Sequence, residues 1–307
     1  MSKTLTIRYT SDTHGYLYPT SYADMQDRPM GLMKLASEYP HDGNTLIIDG
    51  GDTIQGSPLT NLYQRLSPEE KAACLTEDTY GTHPIAAMMN LAGYQFVTLG
   101  NHDFNYGVDA LLDYLTNLDA LCLCANIRDK EGRLPIAPYA VHQLENGLRV
   151  GLVGVCTHFV RRWENPKTVE QLVIEEPVPA AKAALEAVKP LCDLTVLIYH
   201  GGFECDLETG KPLTASAENQ ACRMCRELDF DLVLTGHQHM RVDGVHFGNS
   251  FAVQPAYRAP HCCGVTVTVE DDGSKRFESR IIPADGRPLE SAYNLLMPLE
   301  KRVQTWL

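Results

Sequence analysis

Long apolar runs are missing from this chain. No stretch approaches the ~20 residues that a bilayer-spanning helix needs, so no membrane partner is expected. Clustered positive charge is missing as well. No run of Lys and Arg exceeds two residues, and 26 basic against 39 acidic residues leave a net charge of −13. Binding a nucleic acid polymer through its phosphates needs clustered Lys and Arg, so such a polymer is not the expected partner. The amino terminus, MSKTLTIRYTSD, lacks the basic segment followed by an apolar one that marks a secretory signal. It reads directly as a strand, which points to a cytoplasmic protein, or to an exported one whose leader has been removed. Repeats and low-complexity tracts are also absent, and 307 residues fit one large α/β domain. Paired CxxC motifs are absent too. The ten cysteines are scattered, and Cys222-Arg223-Met224-Cys225 stands alone, where a zinc ribbon needs two such pairs. These cysteines are expected to be reduced, to pack as small hydrophobes, and to suit a reducing compartment.

What is present is one repeated rhythm of strand, loop and helix. Helices are expected at 31–39, 83–92, 108–117, 179–188 and 215–228, and Asp109 and Pro179 suit first-turn positions. His83, just before Pro84, is expected to cap its helix. Alternation of this kind implies a mostly parallel sheet with helices outside. From Phe251 the pattern changes to hairpin strands, FAVQP, GVTVTVE and KRFESRIIP, with Asp272-Gly273 as turn chemistry. That mixture suits two sheets packed face to face between helices. Residues 58–82 read as a polar, irregular surface excursion. The final segment, PLESAYNLLMPLEKRVQTWL, reads as an amphipathic helix interrupted at Pro298.

Five short segments put metal-binding side chains directly after strand-like runs. Asp12-Thr13-His14 follows LTIRYTS, Gly51-Asp52 ends TLIIDG, and Gly100-Asn101-His102-Asp103 follows QFVTL. Tyr199-His200-Gly201 closes LTVLIY, and Gly236-His237-Gln238-His239 follows DLVLT. Open α/β sheets bind their ligands outside the carboxyl ends of strands. One such segment is no signal, since a lone Asp-x-His is usually a surface turn; five at strand ends are.

In order and spacing these segments resemble the calcineurin-like metallophosphoesterases. Gly51-Asp52-Thr53-Ile54-Gln55-Gly56-Ser57-Pro58 and Gly100-Asn101-His102-Asp103-Phe104-Asn105-Tyr106-Gly107 are similar to the branch that holds 5'-nucleotidases and 2',3'-cyclic-nucleotide 2'-phosphodiesterase/3'-nucleotidases. The resemblance covers roughly residues 4 to 285. It implies an αββα sandwich of two mixed sheets flanked by helices, with 1–288 as catalytic domain. It also implies that 289–307 is a linker helix to a C-terminal nucleoside-binding domain outside this chain. For the site it implies one metal on Asp12, His14, Asp52 and His239, and a second on Asp52, Asn101, His200 and His237. Asp52 is the natural bridge, because it ends a buried strand beside glycines. Imidazole, carboxylate and amide without thiolate suit Mn, Zn, Fe or Co. Two such ions can stabilise both the attacking and the leaving oxygen of an in-line displacement.

His102 is expected beside the substrate rather than on a metal, as a charge-stabilising or proton-donating group. In 5'-nucleotidases of this kind an Asp three residues on orients that His; here the position holds Asn105, as in the cyclic-nucleotide branch. Asp103 is the alternative orienting residue, or a helix cap. Substrate contacts are expected from Asn105, from Asn126 and from Arg161, which with His158 and Arg162 follows the strand RVGLVGVCT. Arg241 and Arg258 follow the last metal segment and are further candidates to face an anion. His41, His142, His246 and His261 are expected to be surface or satisfied histidines. The favoured reading is a two-metal phosphoester hydrolase of small nucleotides, 2',3'-cyclic and 3'-nucleotides first. The alternatives are a 5'-nucleotidase or nucleotide-sugar hydrolase. A nuclease is disfavoured by charge, and a binding module by the full ligand set.

Overall fold

Strand Lys3–Thr10 alternates so that Leu5, Ile7 and Tyr9 share one face, and all three are fully buried. That face meets Val150 and Leu152 of strand Arg149–Cys156, Val196 and Ile198 of Leu194–His200, and Leu232 and Leu234 of Leu232–Thr235. This interleaving is the core between two sheets in the computed structural model, which describes residues 2–75 and 81–307. The first sheet runs in the order 275–283, 261–269, 3–10, 45–49, 96–97, 121–123 and 136–137. Its two outer hairpin strands are antiparallel and the rest are parallel. The second sheet runs 241–247, 250–255, 232–235, 194–200, 149–156 and 139–143, parallel except at its two edges.

The outer faces are covered by helices. Against the first sheet lie Leu32–Ala36, Pro58–Arg65, Pro84–Leu91, Val108–Thr116 and Glu290–Trp306, which bury among others Met33, Leu59, Met88, Leu111 and Leu296. Against the second lie Pro177–Val188 and Ala221–Glu227. The expected αββα sandwich of two mixed sheets is therefore the observed fold. No helix among the described residues is long and apolar enough to cross a membrane.

Four local expectations need correction. Residues 58–82 are not one irregular excursion: they contain helices Pro58–Arg65 and Pro68–Ala72, while 76–80 lie outside the described residues. Both begin with Ser followed by Pro. Ser57 and Ser67 accept the backbone N–H groups of Thr60 and Glu70, and Glu70 closes a capping box. The helix expected at 215–228 starts only at Ala221, because Asn219 and Gln220 spend their polar groups bracing the loop after His200. Cys222 is not a reduced helix cysteine; it is disulfide-bonded to Cys205. Helix Glu290–Trp306 is not interrupted at Pro298. Pro298 and Asn294 are both exposed, so water meets the carbonyl that the missing N–H leaves unpaired.

That last helix buries Ala292, Leu296, Leu299 and Val303 on one stripe, and Tyr22 donates to the buried Glu300 at 2.8 Å. Leu296→Ala should therefore lower stability by about 2–5 kcal/mol, the usual cost of such a cavity. An unchanged urea midpoint would show that the helix is not part of the cooperative unit.

His83 caps its helix as expected, accepting the N–H of Ile85 at 3.3 Å, and its ring is buried against Tyr63 and Tyr114. Burial pushes its pKa down to about 3. The unfolded chain binds this proton below its ordinary value near 6.5, and the folded chain refuses it until about 3. The stability it lends is thus complete above pH 6.5 and is lost as pH falls toward 3, by roughly 1.4 kcal/mol per pH unit from this group. His83→Asn keeps a capping acceptor and should flatten the acid limb of the stability curve. An identical acid limb in the variant would count against this.

Candidate metal centre

The site residues sit where strands of both sheets end, and the backbone there is bent for the purpose. Nine non-glycine residues among those described adopt positive φ, and five of them are Asp12, His14, Asp52, His237 and His239. Left-handed backbone costs non-glycine residues energy and clusters at functional sites. Glycines allow the loops to close on each other. A Cβ at Gly100 would lie 2.1 Å from Asp52 Oδ1, and one at Gly51 would lie 2.3 Å from the Gly100 nitrogen. Asp12 and Asp52 are essentially inaccessible. Backbone N–H groups meet both carboxylates: His102 donates to Asp52 Oδ1 at 2.7 Å, and His237 donates to Asp12 at 3.0 and 3.1 Å. Ser11 adds a hydroxyl to Asp12 at 2.6 Å.

Two groups of donors result: Asp12, His14 and His239, and Asp52, His200 and His237, with ligand atoms inside each group within 4.8 Å of one another. Asp52 Oδ2 faces both, at 3.2 Å from His200 Nε2 and 4.0 Å from His14 Nε2. The tautomers follow from the outer partners. His14 Nδ1 lies 2.8 Å from the Gln55 carbonyl and His200 Nδ1 lies 2.7 Å from the Gly50 carbonyl. A carbonyl only accepts, so Nδ1 carries the proton in each ring and Nε2 presents a lone pair inward. The buried His200 Nε2 and Asn101 Oδ1 have no hydrogen-bond partner, and His14 Nε2 faces His239 Nε2 at 3.1 Å. Bare lone pairs converging beside two buried carboxylates fit divalent cations and little else. Without such an ion, burial drives Asp52 and His200 toward neutrality, but their mutual attraction wins. It holds Asp52 well below the usual carboxylate range and raises His200 to about 10.

Beside the second group opens a cavity of about 390 Å³ lined by Asn101, His102, Asn105, Val160, Trp163, Glu164, Glu218, His237 and Gln238. His102 is at its rim with Nδ1 2.7 Å from Asn105 Oδ1. Asn105 thus fills the orienting position after His102, and Asp103 does not. The buried Asp103 carboxylate accepts the N–H groups of Asp52, Thr53, Ile54 and Gly100, so it braces the two ligand loops and does not line the cavity.

Two residues expected as substrate contacts, Asn126 and Arg161, stand outside the cavity lining. Asn126 is buried between strands, accepting from Cys156 N and donating to the carbonyls of Cys156 and Glu175. Arg161 is held on the Ile174 carbonyl, Arg162 stacks over Phe159, and His158 faces Glu176; none of the three lines the cavity. Arg241 pairs with Asp243, whereas Arg258 lies over Tyr16 and Tyr257, the latter stacked on His239. Sequence reasoning missed Trp163, Glu164 and Glu218. Trp163 stacks on His237 with 5.4 Å between centroids, and Glu218 Oε1 lies 2.8 Å from His237 Nε2. The first two follow a strand end by only a few residues, which was the available signal; for Glu218 there was none.

If Asp52 joins the two groups, Asp52→Ala should abolish binding of both divalent ions, while Asn101→Ala should mainly weaken one. Elemental analysis of protein equilibrated with Mn²⁺ decides this, and two ions retained by Asp52→Ala would refute the shared role.

Comparison with known proteins agrees with this geometry. A family model for calcineurin-like phosphoesterases matches residues 5–241. The chain is 28% identical over 250 residues to the trifunctional nucleotide phosphoesterase protein YfkN of Bacillus subtilis, covering 76% of this chain and 16% of that protein. It is 25% identical over 316 residues to the 2',3'-cyclic-nucleotide 2'-phosphodiesterase/3'-nucleotidase of Salmonella typhimurium, covering 94% and 46%. The chain therefore spans less than half the length of these curated relatives. The solved structure of the calcineurin-like phosphoesterase YfkN from B. subtilis superposes with a TM-score of 0.81 at 23% identity, over 100% of this chain and 99% of that one, which speaks to the fold. Residues, fold and family model agree, and the chain belongs to the calcineurin-like phosphoesterase family.

Proposed function

We propose that this chain is the catalytic domain of a phosphoester hydrolase that acts on nucleotides with the help of two divalent transition-metal ions. The observation that carries the reading is the pair of donor groups facing the one oxygen of Asp52. Asp12, His14, Asp52 and His239 would hold one ion, and Asp52, Asn101, His200 and His237 the other. The hard and borderline donors suit Mn, Zn, Fe or Co. Such ions supply Lewis-acid charge at phosphorus and a low-pKa water as nucleophile. The residues of the chain do the rest. His102 meets a phosphoryl or leaving oxygen from the rim, and the loop braced by Asp103 keeps Asp52 and Asn101 in register. No serine or cysteine nucleophile is required.

The cavity supports a nucleoside on the leaving side. Trp163 is 48% exposed, and one face is stacked on His237 while much of the rest is open to solvent. It supplies an aromatic surface next to the place where phosphate would sit. The curated relatives, named as nucleotide phosphoesterases and a cyclic-nucleotide phosphodiesterase/3'-nucleotidase, and Asn105 after His102, favour 2',3'-cyclic and 3'-nucleotides over 5'-nucleotides. Residues 1–288 are read as the catalytic domain, with helix Glu290–Trp306 packed on it.

A panel of 2',3'-cyclic AMP, 3'-AMP and AMP tests the reading, with the cyclic and 3' substrates expected first. A clear preference for AMP would overturn that order, and no turnover of any phosphoester by the Mn²⁺-loaded protein would overturn the hydrolase itself. Stacking on an aromatic side chain is worth ~1–3 kcal/mol per base. Trp163→Ala should therefore raise KM for 2',3'-cyclic AMP about tenfold and leave KM for 1-O-methylribose 2',3'-cyclic phosphate, which has no base, unchanged.

A further inference from the structure

His102 follows strand Phe96–Val97 of the first sheet, whereas Glu164 follows strand Arg149–Cys156 of the second. Their side chains are nevertheless joined across the cavity rim through one residue. His102 Nδ1 lies 2.7 Å from Asn105 Oδ1, Asn105 Nδ2 lies 2.7 Å from Glu164 Oε2, and Glu164 Oε1 accepts the backbone N–H of Asn165 at 2.6 Å. The polarity of this chain is fixed by its last member. An Asn side chain can present either its oxygen or its nitrogen to a neighbour, and on its own it cannot choose. An ionised carboxylate only accepts hydrogen bonds. Facing Glu164, Asn105 must therefore offer its NH₂, which turns its oxygen toward His102. That oxygen also only accepts, so His102 Nδ1 carries the proton and Nε2 is the nitrogen left for substrate.

We propose that Glu164 is a positioning residue for His102, acting through the amide of Asn105, so that an Asn–Glu pair does the orienting work that a single Asp would do by direct contact. The proposal rests on the reading of His102 as the group that meets the substrate. It explains how Asn can stand after the histidine: the negative charge has moved one residue outward, to the opposite sheet. It also ties that charge to the loop carrying Trp163, so the residue that orients His102 and the cavity's aromatic wall move together.

Exchange variants separate this from a merely structural contact. Glu164→Ala frees the Asn105 amide and should lower kcat about tenfold or more, a part of the ~10²–10⁴ that a positioned acid or base supplies, with KM within about twofold. Glu164→Gln removes the charge, and an amide that keeps the Asn165 N–H on its oxygen turns its NH₂ toward Asn105, so this variant should also lose kcat, to a value between wild type and Glu164→Ala. Asn105→Asp sets two carboxylates against each other across the 2.7 Å contact and should be impaired. Asn105→Asp combined with Glu164→Gln, whose amide donates to the new carboxylate, should recover most of the loss. Such non-additivity is the signature of a direct interaction. A second readout needs no turnover: ¹⁵N NMR of the histidine side chains in metal-free protein should show a protonated Nδ1 on His102 that is lost or broadened in Glu164→Ala and restored in the double variant. The proposal fails if the double variant is no better than Asn105→Asp, or if Glu164→Ala keeps both its kcat and the His102 signature. If the wild type hydrolyses no phosphoester while the NMR signature follows the variants as described, the relay stands and the hydrolase reading falls.

Discussion

Two carboxylates, Asp12 and Asp52, are held almost wholly out of water at the seam between the two sheets, and much of the surrounding structure exists to make that tolerable. A buried, ionised carboxylate without compensation is among the costliest things a fold can contain. Part of the compensation is backbone. The left-handed turns at Asp12, Asp52 and His237 aim N–H groups into the seam, so that His102 and His237 donate to the two acids. The remainder is positive charge, and the protein leaves bare imidazole and amide lone pairs where a cation would sit. Conformational strain, glycine contacts and buried polar groups all serve the same two charges, which is why none of them can be read as an isolated oddity.

The two groups of candidate donors were legible in the sequence because their logic is local. Each ligand directly follows an apolar run that had to be a strand, and strands of an α/β sheet put their carboxyl ends on one side. The sandwich was legible for a similar reason, with helix periodicity in the first part and alternation after Phe251. What stayed hidden depends on contacts between distant segments. Nothing near Asp103 distinguishes an orienting residue from a brace, and the approach of the 52–54 backbone, about fifty residues earlier, gives it three of its four N–H donors, the fourth being Gly100. Asn126 follows a strand just as the residues of the two donor groups do, yet its side chain is taken up by cross-strand hydrogen bonds to Cys156. Cys205 and Cys222 are 17 residues apart and were invisible as a pair until the loop between them folded back. The helices at 58–72 were a different failure. The polarity of the stretch suggests an irregular excursion, yet its two Ser-Pro pairs are helix starts, since Pro at a first helical position favours the helix.

Asp12, His14, Asp52, Asn101, His200, His237 and His239 are carried at strand ends of the sandwich itself, so the candidate ion site is built into the scaffold. The cavity is different. Trp163 and Glu164 come from the end of the short helix Val160–Trp163 in the connection after strand Arg149–Cys156, and Glu218 comes from the disulfide-bracketed loop after His200. Neither loop contributes one of the seven expected ligands beyond His200 at its root. Binding residues carried on loops over a rigid scaffold vary without cost to the scaffold. On the proposed function, the chemistry at phosphorus and the choice of nucleoside would therefore be mechanically separate in this chain. The contact from Glu164 through Asn105 to His102 is the place where they are joined. A change of substrate that moves the Trp163 loop would also be felt at His102, so specificity and turnover can be expected to change together through that one rim.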